Sequence, residues 1–134
     1  MSYMIFLDDE RVPEGVTWKI LPSHYSGDWV ILRSYDEFVT HITAAGLPAF
    51  IAFDHDLADE HYVDGYPGNP PKYDKYKERT GYHCAQWLLD YCLKHKLSVP
   101  RFAVHSMNQV GGANIRAVLD PANVARLREL FNNL

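Results

Sequence analysis

Phe50-Ile-Ala-Phe-Asp-His-Asp-Leu57 decides the fold. Its four leading residues are apolar and uncharged, and they follow Gly46 and Pro48. That pattern reads as a short strand buried on both faces, as strands of parallel sheets are. Asp54, His55 and Asp56 then arrive together where the strand should leave the core. In open α/β sheets, ligands sit in the crevice beyond the carboxyl ends of the strands. The opening Met1-Ser-Tyr-Met-Ile-Phe-Leu-Asp-Asp-Glu10 has the same form, an apolar strand running into acids. Two acidic strand ends meeting in space would make a cation site.

Outward from that stretch, Trp29–Leu32 reads as a second strand, and Ser34-Tyr-Asp-Glu37 is a capping-box pattern opening a helix. Phe38, Ile42 and Ala45 recur at helical spacing, and Gly46 ends the helix. The segment between the first two strands, through Trp18 and Pro22 to Gly27, reads as irregular with at most a short edge segment. Residues 58–79 form a polar, tyrosine-rich, turn-rich insert, and loops of that length are either functional or mobile. Thr80 caps the next helix, whose Cys84, Leu88 and Cys92 share a face. Arg101–His105 supplies a fourth strand ending in His105-Ser106. Asn108 then opens a helix through Val110, Ile115 and Leu119, which Gly111-Gly112 weaken. Asp120-Pro121 opens a final helix with Val124, Leu127 and Phe131 inward.

Strands alternating with helices predict an α/β fold of flavodoxin-like type, over 1–134 as a single domain. The sheet is mainly parallel, in the order 2-1-3-4 with a fifth strand absent and helices on both faces. Adjacent strands lie about 4.8 Å apart, so the tips after strands one, three and four fall within roughly 10 Å of one another. Topology alone therefore predicts one shared pocket.

A net charge of −4 gives no electrostatic reason for general nucleic-acid affinity or for binding an anionic membrane. Neither a membrane-length apolar run nor a signal-type start is present, so a cytoplasmic protein is expected. Cys84 and Cys92, eight residues apart on one helix, are separated by about 12 Å, too far for a disulfide. They read as buried apolar filler.

Asp8-Asp9, Asp54 and Ser106 resemble the acidic pocket of response-regulator receiver domains, although the lysine that receivers carry after a fifth strand has no counterpart. Leu7-Asp-Asp-Glu-Arg11-Val-Pro13, Phe53-Asp-His-Asp-Leu57, Thr80-Gly81 and His105-Ser-Met-Asn108 with Gly111 are more similar to the receiver-like family of cyclic-phosphate processing domains. The resemblance spans nearly the whole chain outside the insert. It implies phosphoester chemistry on a nucleotide or an RNA end, in RNA repair or nucleotide metabolism.

Asp8, Asp9 and Asp54 are hard oxygen ligands suited to Mg²⁺ or another divalent cation, with Asp56 either a further ligand or the carboxylate orienting a histidine. Opening a cyclic phosphate needs a base for water and an acid for the departing ribose oxygen. His55 and His105 can fill both roles beside Asp54, or serve structurally. On an extended strand His55 faces away from Asp54 and Asp56. Ser106 and Asn108 are placed to bond phosphate oxygens, Asn108 equally to cap a helix. Arg11 either binds phosphate or pairs with Glu10 or Glu14, and Arg33 is a further phosphate candidate. Tyr62, Tyr66, Tyr73 and Tyr76 form either a base-stacking cover or an exposed loop. The expected function is a metal-assisted phosphoesterase acting on a cyclic phosphate. Its rival is a non-catalytic module whose Asp54 accepts a phosphoryl group, or which binds a phosphorylated nucleotide.

Overall fold

A computed structural model of the chain describes residues 3–16, 29–58, 60–61 and 70–133. Four strands, β1 (Met4–Leu7), β2 (Trp29–Leu32), β3 (Phe50–Phe53) and β4 (Arg101–Val104), form one sheet in the order β2-β1-β3-β4. Every pairing is parallel. Burial follows position in the sheet. All four residues of central β1 are buried, as are three of β3, whereas the edge strands each bury one. The expected strand order is thus observed, with four strands among the described residues.

Four helices are described along their whole length: α1 (Tyr35–Ala45), α2 (Gly81–His95), α3 (Gln109–Leu119) and α4 (Pro121–Asn132). The main core joins Ile5, Leu7, Ile51 and Phe53 of the sheet to Phe38 and Ile42 of α1, Cys84 and Leu88 of α2, and Ile115 of α3. Each large apolar side chain buried there stabilises the fold by about 1.5–3 kcal/mol. The opposite face carries Phe6 and Ala52, covered among the described residues by Val16, which follows a 3-10 turn at Pro13–Gly15. Helices were expected on both faces; the described ones share a face. The reason lies in the strand order. The steps β2→β3 and β3→β4 run the same way across the sheet, so right-handed crossovers put α1 and α2 on one side. The step β1→β2 runs the other way, and its connection, 17–28, with the edge segment expected there, lies outside the described residues.

Local chemistry sets the helix ends. Ser34 Oγ accepts the Glu37 amide, and Glu37 reaches back one residue further than a capping box requires, to the Arg33 amide at 2.9 Å. Gly46 closes α1 at φ +86°, a conformation that disfavours side chains. Asp120 caps α4 through the Ala122 amide. That last helix buries no residue fully; Val124 and Leu127 rest partly against the core, while Phe131, expected inward, is exposed. Cys84 and Cys92 are free thiols buried in α2, as their spacing required. No helix among the described residues is long and apolar enough to cross a membrane.

Candidate functional site

The parallel ladder runs one residue past the strands. The Asp8 amide bonds Leu32 O, the Asp54 amide Leu7 O, and the His105 amide Phe53 O, at 2.9–3.1 Å. Asp8, Asp54 and His105 therefore stand side by side at the carboxyl rim of β1, β3 and β4. Side chains alternate between faces, so these three point away from the helices, toward the face of Phe6 and Ala52. There the His105 ring stacks on Phe6 at 4.7 Å with the planes 6° apart.

All three are buried, and each offers a ligand atom within 4.8 Å of the others, a group able to hold a cation. Asp8 is the best satisfied. Its Oδ1 accepts the amides of Glu10 and Arg11, and its Oδ2 meets His105 Nε2 at 3.0 Å. Burial pushes its carboxyl up, but the His105 hydrogen bond and the two amides outweigh burial and hold it below the usual value. Asp54 has no such support. Its Oδ1 accepts the His55 amide, while its buried Oδ2 has no hydrogen-bond partner among the described residues. Burial, followed by the charges of Asp8 and Asp56, drives its carboxyl well above the ordinary range, against the pull of Arg11.

Arg11 reaches both acids, 3.5 Å from Asp8 Oδ2 and 3.9 Å from Asp54 Oδ2. It is 28% exposed, so this guanidinium is where the cluster meets solvent. Arg33, at the end of β2, donates instead to the backbone carbonyls of Asp8 and Arg11 and ties down the acidic loop. Asp9 lies outside the three-residue group, although its charge reaches Asp54.

The remaining candidates form a second constellation on the helical face. His55 turns away from Asp54, as alternation predicts, and is completely buried. Asp56 was expected opposite it, yet Asp56 Oδ1 meets His55 Nδ1 at 2.7 Å. The strand ends at Phe53, and alternation no longer governs the chain beyond it. Asp56 Oδ1 also accepts Asn108 Nδ2 at 3.1 Å. Asn108 Oδ1 caps α3 through the Gly111 amide at 2.8 Å, and Ser106 Oγ accepts the Asn108 amide. Of the two readings of Asn108 the helix cap is observed, and its amide nitrogen is turned to the Asp56 carboxylate. A Cβ on Gly111 would overlap the His55 ring, and one on Gly81 would overlap the Asp54 carbonyl. These two glycines let α2 and α3 press against the end of β3.

Sequence reasoning missed the rest of this shell. Tyr73 OH meets His55 Nε2 at 2.9 Å, and Asn114 Nδ2 donates to the same hydroxyl at 2.9 Å. His61 holds the chain leaving β3 by accepting the Leu57 amide, and its Nε2 donates to Glu78 O. His83 Nδ1 accepts the Thr80 amide at the start of α2. The signal available was the density of tyrosine and histidine around the insert, without the pairings. Of the four insert tyrosines, Tyr62 and Tyr66 lie outside the described residues.

A parallel sheet in this order, with acids after β1 and β3 and His-Ser after β4, defines a receiver-like α/β domain. A family model described as the cyclic-phosphate processing receiver domain matches residues 3–121, and the chain belongs to that family. No curated protein and no solved structure matches it.

Proposed function

We propose that the rim formed by Asp8, Asp54 and His105 is the active site of a divalent-metal-assisted phosphoesterase that opens a cyclic phosphate on a nucleotide or an RNA end. One observation carries the reading: two buried carboxylates and an imidazole converge, and one carboxylate oxygen, Asp54 Oδ2, lacks a hydrogen-bond donor among the described residues. A buried acceptor left in that state costs roughly 1–3 kcal/mol. A hard cation would satisfy it, and the two carboxylate oxygens suit Mg²⁺ or Mn²⁺. Bound on Asp8 and Asp54, the ion would offset their charge and polarise a phosphoryl oxygen.

The chain's own groups do the rest. Arg11, at the solvent side of the cluster, draws the phosphate in. Water adds to phosphorus as the bond to one ribose oxygen breaks, giving a phosphomonoester and a free hydroxyl. His105, its ring fixed between Phe6 and Asp8, protonates the departing oxygen and recovers the proton that the water gives up. His55 has both ring nitrogens engaged, so its part is to hold Asp54 and Asp56 in place. Arg33 acts on the loop rather than on the phosphate.

Purified protein incubated with 2′,3′-cyclic nucleotides and Mg²⁺ or Mn²⁺ should release monophosphates. His105→Ala should lower that rate by 10²–10⁴-fold, the usual size of a general acid–base contribution. No opening of any cyclic nucleotide, or equal rates in His105→Ala, would sink the reading. A stable phosphoryl adduct on Asp54 after incubation with a small phosphodonor would favour the rival module.

A further inference from the structure

A continuous polar chain among the described residues lies outside the acidic cluster. It runs Asn114–Tyr73–His55–Asp56–Asn108, with links of 2.9, 2.9, 2.7 and 3.1 Å. Its direction is fixed by what each atom can do. Asp56 Oδ1 accepts from Asn108 Nδ2, so His55 Nδ1 donates to it. With Nδ1 carrying the proton, His55 Nε2 is left to accept, and the Tyr73 O–H donates to it while the Tyr73 oxygen accepts from Asn114 Nδ2. Each of the four links then pairs one donor with one acceptor.

Tyr73 is well placed to hold this arrangement. It sits in a 3-10 turn (Tyr73–Lys75) of the insert, with its ring stacked on Tyr82 of α2 at 4.5 Å and 17°. Burial raises its phenol to about 12, which keeps the hydroxyl a donor. The His55 ring it meets is locked against Gly111, and the His55 amide is the donor to Asp54 Oδ1 at 2.8 Å.

We propose that Tyr73 is a positioning residue of the active site: its hydroxyl donates to His55 Nε2, fixes the ring as the Nδ1–H tautomer, and through the His55 amide sets the Asp54 carboxylate. The turn Tyr73–Lys75 is thereby part of the site's scaffold. This rests on the proposed phosphoesterase reading for its effect on turnover, though not for the tautomer.

Three variants separate polarity from packing. Tyr73→Phe removes the hydroxyl and keeps the ring. Asn114→Asp keeps the shape but offers an acceptor, which draws the Tyr73 O–H away from His55. Asn114→Ala removes volume and leaves that O–H on His55. Side-chain ¹⁵N spectra of the full chain should show His55 protonated on Nδ1, with Nε2 a hydrogen-bonded acceptor. The Nε2 signal should shift toward the value of a bare acceptor in Tyr73→Phe and Asn114→Asp, and stay in place in Asn114→Ala. With cyclic nucleotide and Mn²⁺, the first two should lose about tenfold or more in kcat at little changed KM, the scale of lost outer-shell partners. Asn114→Ala should stay near wild type. A proton on Nε2 in the wild type overturns the proposal, as does an order of effects that follows lost volume, with Asn114→Ala the worst. If the wild type opens no cyclic nucleotide, the phosphoesterase reading fails, and the ¹⁵N spectra still decide the role of Tyr73.

Discussion

At the scale of single residues, the site depends on two aspartates that burial treats in opposite ways. Asp8 is held below its usual value by His105 and two amides, and Asp54 is held well above by burial and its acidic neighbours. The consequences for stability have opposite signs. An acid whose folded pKa is raised costs nothing below its unfolded value near 3.9, and it costs progressively more as pH rises from there through the folded value. The unfolded chain gives up its proton first, which favours unfolding. Asp8 contributes stability above its unfolded value, and that is lost as pH falls through its lowered folded value. In metal-free buffer, Asp54→Asn should therefore stabilise the protein at neutral pH by about 1–3 kcal/mol, the cost of an unsatisfied buried acceptor. The gain should vanish toward pH 4. Urea unfolding from pH 4 to 8 measures it, and a loss of stability at neutral pH would contradict this account of Asp54.

At the scale of elements, the start of α2 is a pH-sensitive joint. His83 accepts the Thr80 amide through Nδ1, and Gly81 at the next position bonds the His55 carbonyl at 2.8 Å. Burial, then the nearby Arg79 charge, lowers His83 to about 4. A histidine with a depressed folded pKa contributes fully above its unfolded value near 6.5, and that contribution fades as pH falls toward about 4. His61, also lowered by burial, adds to the same trend. Glutamine at position 83 can accept the same amide without titrating. His83→Gln should therefore lose less stability than the wild type between pH 7.5 and 5, read from urea midpoints. Equal losses would show that the His83 cap does not govern this acid sensitivity.

Elements were the most legible level of the sequence. Ser34, Gly46, Asn108 and Asp120 each mark a helix end, because capping depends on a few adjacent residues. The strand order followed from the flavodoxin-like pattern that alternating strands and helices imply, which needs no side-chain detail. What could not be read were partners far apart in sequence. Tyr73 meets Asn114 across 41 residues, and Arg33 meets Asp8 across 25. From sequence, Asp56 is either a further cation ligand or the carboxylate orienting a histidine. Its contact with His55 was hidden because alternation, which set the two apart, stops with the strand. The role of Gly81 and Gly111 was equally hidden, since a missing Cβ matters only once the opposing atoms are known.

At the scale of the whole molecule, the site joins the ends of three strands that α1 and α2 brace from one side. A cation bound only by the folded arrangement must stabilise all of it. At a divalent concentration 100 times the dissociation constant, the gain should be about 2.7 kcal/mol. For a chain of this size that corresponds to a rise of roughly 10 °C in Tm. Differential scanning with Mg²⁺ or Mn²⁺ against EDTA measures the shift, and Asp8→Asn should abolish it. An unchanged melting curve at millimolar metal would remove the cation from the mechanism.

The two thiols of α2 give the fold a built-in stopwatch. Cys84 is completely enclosed, with burial first among the causes that lift its thiol well above the ordinary value, and burial lifts Cys92 to about 11. Neither sulfur reacts until the helix carrying it leaves the sheet. The labelling rate with a thiol reagent therefore clocks the rarest openings of the domain. Ligands that close the distant acidic rim should slow that clock without touching either cysteine.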